Sequence, residues 1–366
     1  MLKEILNDRD YLSVLKMNNG DDVTAENWNE RKAEMIELLE KYSYGRTPKK
    51  PDRVWGEVTS FVDTNRICAG KVLLQNITIS FETERGVFSF PTEFYIPKSI
   101  EKPPVFLLIS FESSFAKYNI IEEITDNGYA VVIAKYTDMM NDNHFGDFSG
   151  GIAEYFGTTA ERGPEEWGKI GMWAYGASRV MDYMVDERDD LDVNRVAVIG
   201  HSRLGKTALW CGAQDERFAA VISNNSGYGG ASSSKKGKGE RVRSFLEYGS
   251  WDWYCENFKE FTDEKEDCKP YDQSFLLALI APRLLCVGSA VLDKGADPEA
   301  EFLTTLHAAP VWEMLGEKGL VCPDRMPVPG DHFAEGNVGY HLRADGHYLS
   351  RYDWNTYIKF LNEHMK

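Results

Sequence analysis

At 366 residues, 43% hydrophobic and 13% aromatic, the chain has ample material for a packed core, and its composition excludes disorder. Its 58 acidic against 41 basic residues leave a formal charge of −17, a field that repels phosphate backbones and anionic lipid, so neither nucleic acid nor a membrane is an expected partner. Six cysteines without a CxxC pair predict reduced thiols; with no signal-like apolar stretch near the N-terminus and no run of about 18 apolar residues, the expectation is a cytoplasmic protein, or a secreted one if a leader has been trimmed.

The length suits one large α/β unit, so a single domain over 1–366 is expected, with a helical arm (1–52), antiparallel edge strands (53–98) and a core (99–366) interrupted by an insertion at about 228–275. From Thr24 the spacing predicts an amphipathic helix with Trp28, Met35, Leu39 and Tyr42 on one face, ended by the stretch 45–51. Residues 54–96 alternate in strand fashion, and Glu84-Arg85-Gly86 supplies the turn of a hairpin. After Pro104 the pattern changes to continuous apolar runs, 105–109 and 129–134, the mark of strands covered on both faces. A helix over about 167–184 leads into 196–199, and strand, helix, strand is the rhythm of a parallel sheet. Residues 218–222, 284–287 and a final helix bearing Trp354, Tyr357, Ile358 and Leu361 extend it. The insertion, with a Gly/Ser/Lys-rich loop and Trp251-Asp252-Trp253-Tyr254, is expected near the carboxyl ends of the strands, where such segments shape pockets.

The chemistry centres on Val196-Ala197-Val198-Ile199-Gly200-His201-Ser202-Arg203-Leu204-Gly205-Lys206: a buried strand, then Gly-x-Ser-x-x-Gly, then a helix. This is the pattern of a nucleophile elbow, in which a serine on a strained turn projects its hydroxyl at the carboxyl edge of the sheet, and it points to the α/β-hydrolase fold: a mostly parallel central sheet with helices on both faces. The second glycine stands one residue late, with Leu204 in its usual place. The backbone N–H of Arg203 would face the oxyanion formed when Ser202 attacks a carbonyl. The competing reading of Ser202 is an ordinary helix N-cap.

A serine needs a base, and in this fold the order is Ser, acid, His. His347, in Arg343-Ala344-Asp345-Gly346-His347 before the last helix, is the expected base; His332 and His341 are its rivals, and His201 is expected to point away from the serine. The acid should follow the strand at 284–287, where Asp293 is favoured and Asp297, before a proline, reads equally as a turn residue. The acid would hold the imidazole tautomer and stabilise imidazolium. No metal or cofactor is expected.

The stretch Gly200-His201-Ser202-Arg203-Leu204-Gly205-Lys206 resembles the Gly-Cys/His-Ser-Arg-x-Gly-Lys signature of the glucuronoyl esterases, carbohydrate esterase family 15. Further matches are Asn225-Ser226-Gly227-Tyr228-Gly229-Gly230, Trp253-Tyr254-Cys255-Glu256-Asn257-Phe258, Leu277-Ala278-Leu279-Ile280-Ala281-Pro282-Arg283 and the segment 339–347, so the resemblance covers roughly 100–366 and is greatest to bacterial members. It implies Ser202 as nucleophile, His347 as base, the Arg203 side chain at the oxyanion site and Lys206 as a contact to sugar hydroxyls or carboxylate. The alternative for Arg203 is a surface ion pair, and for Lys206 a solvated side chain. Fungal members place a glutamate where this chain has Asn225, so the acid must come from Asp293. The family also places a tryptophan in the loop after that aspartate, where this chain has Lys294 and Gly295; Trp253 is the candidate substitute for stacking on a sugar ring. The implied activity is hydrolysis of a small carbohydrate ester, glucuronoyl or acetyl; a catalytically silent carbohydrate-binding relative is the reading from another class, because the stretch Phe111-Glu112-Ser113-Ser114, where a second oxyanion donor belongs, is not glycine-rich. The sequence leaves the oligomeric state open.

Overall fold

Ten strands form one sheet in a computed structural model that describes residues 1–112 and 120–365. They are β1 (Val54–Val62), β2 (Val72–Thr83), β3 (Gly86–Pro97), β4 (Val105–Ser110), β5 (Ala130–Lys135), β6 (Val196–His201), β7 (Ala220–Asn224), β8 (Leu284–Ala290), β9 (His332–Phe333) and β10 (Val338–Arg343), in the order β1-β2-β3-β5-β4-β6-β7-β8-β10-β9. From β5 to β10 neighbouring strands are parallel; β1, β2, β3 and the terminal β9 pair antiparallel.

The apolar runs are continuous because each parallel strand feeds two cores. Val105, Leu107, Val196, Val198 and Val221 join one cluster, while their alternates Phe106, Leu108, Ala197, Ile199 and Ile222 join the other. The larger helices that cover the faces are α1 (Leu2–Arg9), α2 (Trp28–Leu39), α3 (Ile121–Asp126), α4 (Lys169–Glu187), α5 (Arg203–Gln214), α6 (Pro298–Ala308) and α7 (Arg351–His364). α3 and α7 pack on one face through Ile121, Ile124, Trp354 and Leu361; α4 and α5 cover the other with Trp173, Met181, Leu204 and Trp210.

Two expectations change. The edge is a three-stranded meander, because 54–62 pairs with β2 along its whole length and only the β2–β3 connection, at Glu84 and Arg85, is a tight hairpin turn. The segment 338–343, where no strand was expected, is a fully buried strand. Its polar side chains His341 and Arg343 find a buried partner in Asp353 on α7, so their burial is compensated.

The arm reaches the core through Tyr44, which stacks on Trp210 of α5 at 4.5 Å and donates to the Gly229 carbonyl at 3.0 Å. The insertion is pinned by an aromatic cluster in which Tyr254 and Phe258 stack at 3.9 Å and Phe245 packs edge-on to both. Strand order reverses at β4, flanked by β5 and β6, so the crevice at the carboxyl end of β6 lies where α/β sheets bind ligands.

Candidate active site

β6 ends at His201, and Ser202 follows with φ 59° and ψ −129°, a left-handed conformation that L-residues adopt at a cost of about 1–3 kcal/mol. Its surroundings over-determine it. The Ser202 N–H donates to the Asn224 carbonyl at 2.9 Å, and the Ser202 carbonyl accepts from the N–H groups of Gly205 and Lys206 as α5 begins. Gly200 has no Cβ to collide with the Leu204 carbonyl, which explains the small residue there. The hydroxyl makes no side-chain cap bond, so an ordinary N-cap role does not consume it.

The loop between β10 and α7 presents His347, whose Nδ1 lies 2.7 Å from Asp293 Oδ2 in the loop after β8. An ionised carboxylate only accepts, so Nδ1 carries the proton and Nε2 is left as the basic nitrogen. Asp293 is buried and also accepts from the Asn225 amide at 2.8 Å and the Ala296 N–H at 3.3 Å. Burial opposes its ionisation, but the bond to His347, that ring's charge and the other two donors prevail and hold the carboxyl below the ordinary aspartate range.

Ser202, Arg203, Lys206, Trp253, Asp293 and His347, the six residues singled out from the sequence, line one cleft of about 300 Å³. A larger cleft of about 610 Å³, between residues 48–52 and 82–85, carries no serine, cysteine or histidine along its lining. The rivals go elsewhere. Asp297 caps α6 by accepting from the Ala300 N–H. His341 is fully buried against Asp353 at 2.7 Å. His332 lies half-buried on β9, at the end of the sheet. His201 is not part of the cleft lining but packs beside the expected base: its ring centroid lies 4.5 Å from that of His347, with Nδ1 bonded to Asn224 Oδ1 at 2.7 Å. Burial, then the charge of His347, push its pKa down to about 4.

The chain shares these features with known esterases. A family model described as "Glucuronyl esterase, fungi" matches residues 78–316. The chain is 35% identical to carbohydrate esterase MZ0003 from an unknown prokaryotic organism, over 96% of this chain and 88% of that protein. The structure of the glucuronoyl esterase from Solibacter usitatus superposes with a TM-score of 0.87 at 34% identity, covering 96% of this chain and 97% of the other. The chain belongs to the glucuronoyl esterases. Their reaction class is the hydrolysis of carbohydrate carboxylic esters. The 4-O-methyl-glucuronoyl methylesterase of Hypocrea jecorina is more distant, 26% identical over 90% of this chain, and the chain spans 65% of that protein's length.

In this esterase Arg203 is the first residue of α5, so its backbone N–H has no intrahelical acceptor. Its side chain does form an ion pair, in the wall of the cleft and with a largely buried partner: Nη1 donates to Asp142 Oδ2, and the guanidinium lies 4.4 Å from the Trp253 ring centroid. Asp142, which carried no signal in the sequence, is the hub of this wall. It also accepts from Trp253 Nε1 at 2.8 Å and from the Tyr136 hydroxyl at 2.9 Å. Lys206 is buried, which removes the solvated alternative. Its ammonium donates to the Ser226 and Tyr228 carbonyls at 2.5 and 2.6 Å and to Glu240 at 3.2 Å. Beneath the cleft Glu301, fully buried on α6, accepts from the Ser289 hydroxyl and the Gly227 N–H, and burial pushes its pKa up to about 8. The stretch 111–114 reaches beyond the described residues, which end at Glu112 there, so Ser113 and Ser114 lie outside them. Among the described residues no group of His, Cys, Asp and Glu forms a metal-binding cluster, and no helix is long and apolar enough to cross a membrane.

Proposed function

We propose that Ser202, His347 and Asp293 act as a catalytic triad on the ester of a uronic acid. His347 Nε2 takes the Ser202 proton as Oγ attacks the ester carbonyl; the tetrahedral oxyanion is met by the Arg203 backbone N–H with the Arg203 guanidinium beside it. Collapse expels the alcohol, which takes the proton from His347 and leaves an acyl-serine. Water then gives a proton to His347, attacks the acyl carbon, and releases the uronic acid as Ser202 recovers its proton. Asp293 holds the imidazole and offsets its charge in both half-reactions.

The observation that carries this reading is the 2.7 Å bond between His347 and Asp293 on the cleft where Ser202 stands at its strand-to-helix corner. Support for a sugar acid comes from the cleft volume, about 300 Å³, the lower bound of small-molecule sites and far more than an acetyl group occupies. Glu240, held in its wall by Lys206, and Trp253, edging it, supply polar and stacking contacts for a pyranose. The names of the relatives, glucuronoyl esterase and 4-O-methyl-glucuronoyl methylesterase, favour the same substrate class. We take the chain as one catalytic unit with 228–275 as its pocket-forming insertion. Its six free cysteines suit a reducing compartment, where a short oligosaccharide ester would be the substrate.

Hydrolysis of a benzyl glucuronate ester compared with acetate release from an acetylated xylan fragment tests the substrate class. Faster turnover of the uronoyl ester is expected; acetate release alone would reassign the enzyme as a sugar deacetylase. A fluorophosphonate that labels wild type but not Ser202→Ala tests the nucleophile, and failure to label wild type would favour a silent carbohydrate-binding protein.

A further inference from the structure

Arg343 is the last residue of β10, and Asp353 stands in the first turn of α7; the loop between them carries His347 at its middle. The two form a buried ion pair, with Arg343 Nε 3.1 and 2.9 Å from the Asp353 carboxylate oxygens. Asp353 is itself fixed by His341 Nε2 and by the N–H and hydroxyl of Ser350, each at 2.7 Å. So the guanidinium is anchored at its root.

Its outer nitrogen, Nη2, then reaches what flanks the base. It donates to the Gly346 carbonyl at 2.8 Å and to the Tyr348 carbonyl, one residue to each side of His347. Asn225 Oδ1 lies 3.4 Å from the same nitrogen, a weaker third contact that shares one of its two hydrogens, and the Nδ2 of that same amide donates to Asp293 Oδ2 at 2.8 Å. Backbone bonds run alongside, from the Val291 N–H to the Arg343 carbonyl and from the Leu292 N–H to the Asp345 carbonyl, tying the loop of the acid to the loop of the base.

We propose that Arg343 is a positioning residue for the reaction: it holds His347 by both flanking carbonyls and, through Asn225, sets the carboxylate of Asp293 against the ring. This rests on the reading of His347 as base. A guanidinium suits the task because its rigid planar fork serves separated acceptors at once, whereas an ammonium is a point donor without that geometry. Asp353 neutralises its charge, so the guanidinium can lie buried behind a base that must accept a proton.

The test is steady-state kinetics on a benzyl glucuronate ester with Arg343→Lys, which keeps the charge and loses the fork, and Asn225→Gly, which removes the link to Asp293 and tolerates the left-handed φ of 47° at that position. Thermal unfolding is measured alongside, with His347→Ala as reference. For Arg343→Lys the expectation is a fall in kcat of about 100-fold with KM within threefold of wild type, the scale on which a misplacement of about 1 Å acts. For Asn225→Gly it is about tenfold with KM and unfolding midpoint nearly unchanged. A kcat within threefold of wild type in either folded variant overturns the proposal, and if Arg343→Lys does not fold, Asn225→Gly decides it. An active His347→Ala would instead remove the base assignment itself; an inactive His347→Ala beside a fully active Arg343→Lys removes the clamp alone.

Discussion

Asp293→Asn probes the acid at a site where the geometry constrains what the amide can do. Oδ2 accepts two short bonds, from His347 at 2.7 Å and Asn225 at 2.8 Å, while Oδ1 accepts one long bond from the Ala296 N–H at 3.3 Å. An asparagine keeps both short bonds if its carbonyl oxygen stays toward His347, losing only the long one; the flipped amide would set its NH₂ against the NH₂ of Asn225. The imidazole tautomer is therefore kept, and what disappears is the negative charge. Two unit charges about 4 Å apart at an effective dielectric of about 20 interact by about 4 kcal/mol. Since the His347 side chain is 46% exposed, solvent screens part of this, leaving about 3 kcal/mol and a fall in kcat of about 10²-fold. A wrong tautomer would cost about 10⁴-fold, as the corresponding change does in the serine protease triad. Asp297→Asn is the control, because asparagine caps a helix about as well as aspartate and kcat should stay within threefold. The assay is kcat and KM on the benzyl glucuronate ester at neutral pH, with unfolding midpoints for both variants. A greater loss in Asp297→Asn than in Asp293→Asn would refute the assignment of the acid, and a 10⁴-fold loss in Asp293→Asn would refute the amide orientation.

Asp142→Ala should release both Arg203 and Trp253, lowering kcat by about 10- to 100-fold in the same assay; unchanged kcat would mean that neither side chain needs its anchor. Gly200→Ala should prevent the elbow from closing, because the new Cβ meets the Leu204 carbonyl, and loss of Ser202 labelling by a fluorophosphonate is the readout. Glu301 makes a pH prediction. Its folded carboxyl keeps a proton up to about pH 8, against an ordinary value of 4.5, so between these the native state binds more protons than the unfolded one and stability falls as pH rises, by at most about 1.4 kcal/mol per unit. Glu301→Gln should flatten that decline in denaturant titrations at pH 5.5, 6.5 and 7.5, whereas parallel curves for the two proteins would show that Glu301 is not the group responsible. His201 acts at the other end of the scale. Its depressed value means that the unfolded chain takes the proton first, so stability is lost as pH falls from about 6.5 towards 4, and His201→Gln should reduce that loss in acid-unfolding curves.

The parts legible in the sequence were those in which one residue type serves one purpose. Residues 105–109 and 196–199 read as strands because both of their faces are apolar, and Ser202 read as a nucleophile because a small residue and a helix flank it. β10 was hidden for the opposite reason. His341 and Arg343 break its apolar character, and the group that permits their burial, Asp353, lies beyond a loop where no periodicity connects it to them. Yet a local signal was present: Ser350 with Asp353 three residues on is a capping box, which marks the start of α7 and places the carboxylate in its first turn. Asp142 had no such signal, since it lies 61 residues before Arg203 and 111 before Trp253, and only the folded chain brings the three together.

Why an asparagine suffices at 225 follows from the contact it makes. The end of β7 and the loop after β8 are adjacent because those strands pair in parallel, and the Asn225 N–H donates to Gly288 at 2.8 Å. A carboxylate at either place can therefore reach the ring of a histidine arriving from β10, the next strand along the sheet. With an aspartate already at 293, a second carboxylate at 225 would stand 2.8 Å from the first and raise the pKa of one of them, whereas an amide donates to Asp293 and accepts from Arg343. Asn225→Asp should on this reasoning shift the rising limb of the pH–kcat profile upward, because added negative charge next to Asp293 favours the protonated imidazole. An unshifted limb would refute the added charge and mean that the carboxyls at 225 and 293 share one proton and hold a single negative charge between them.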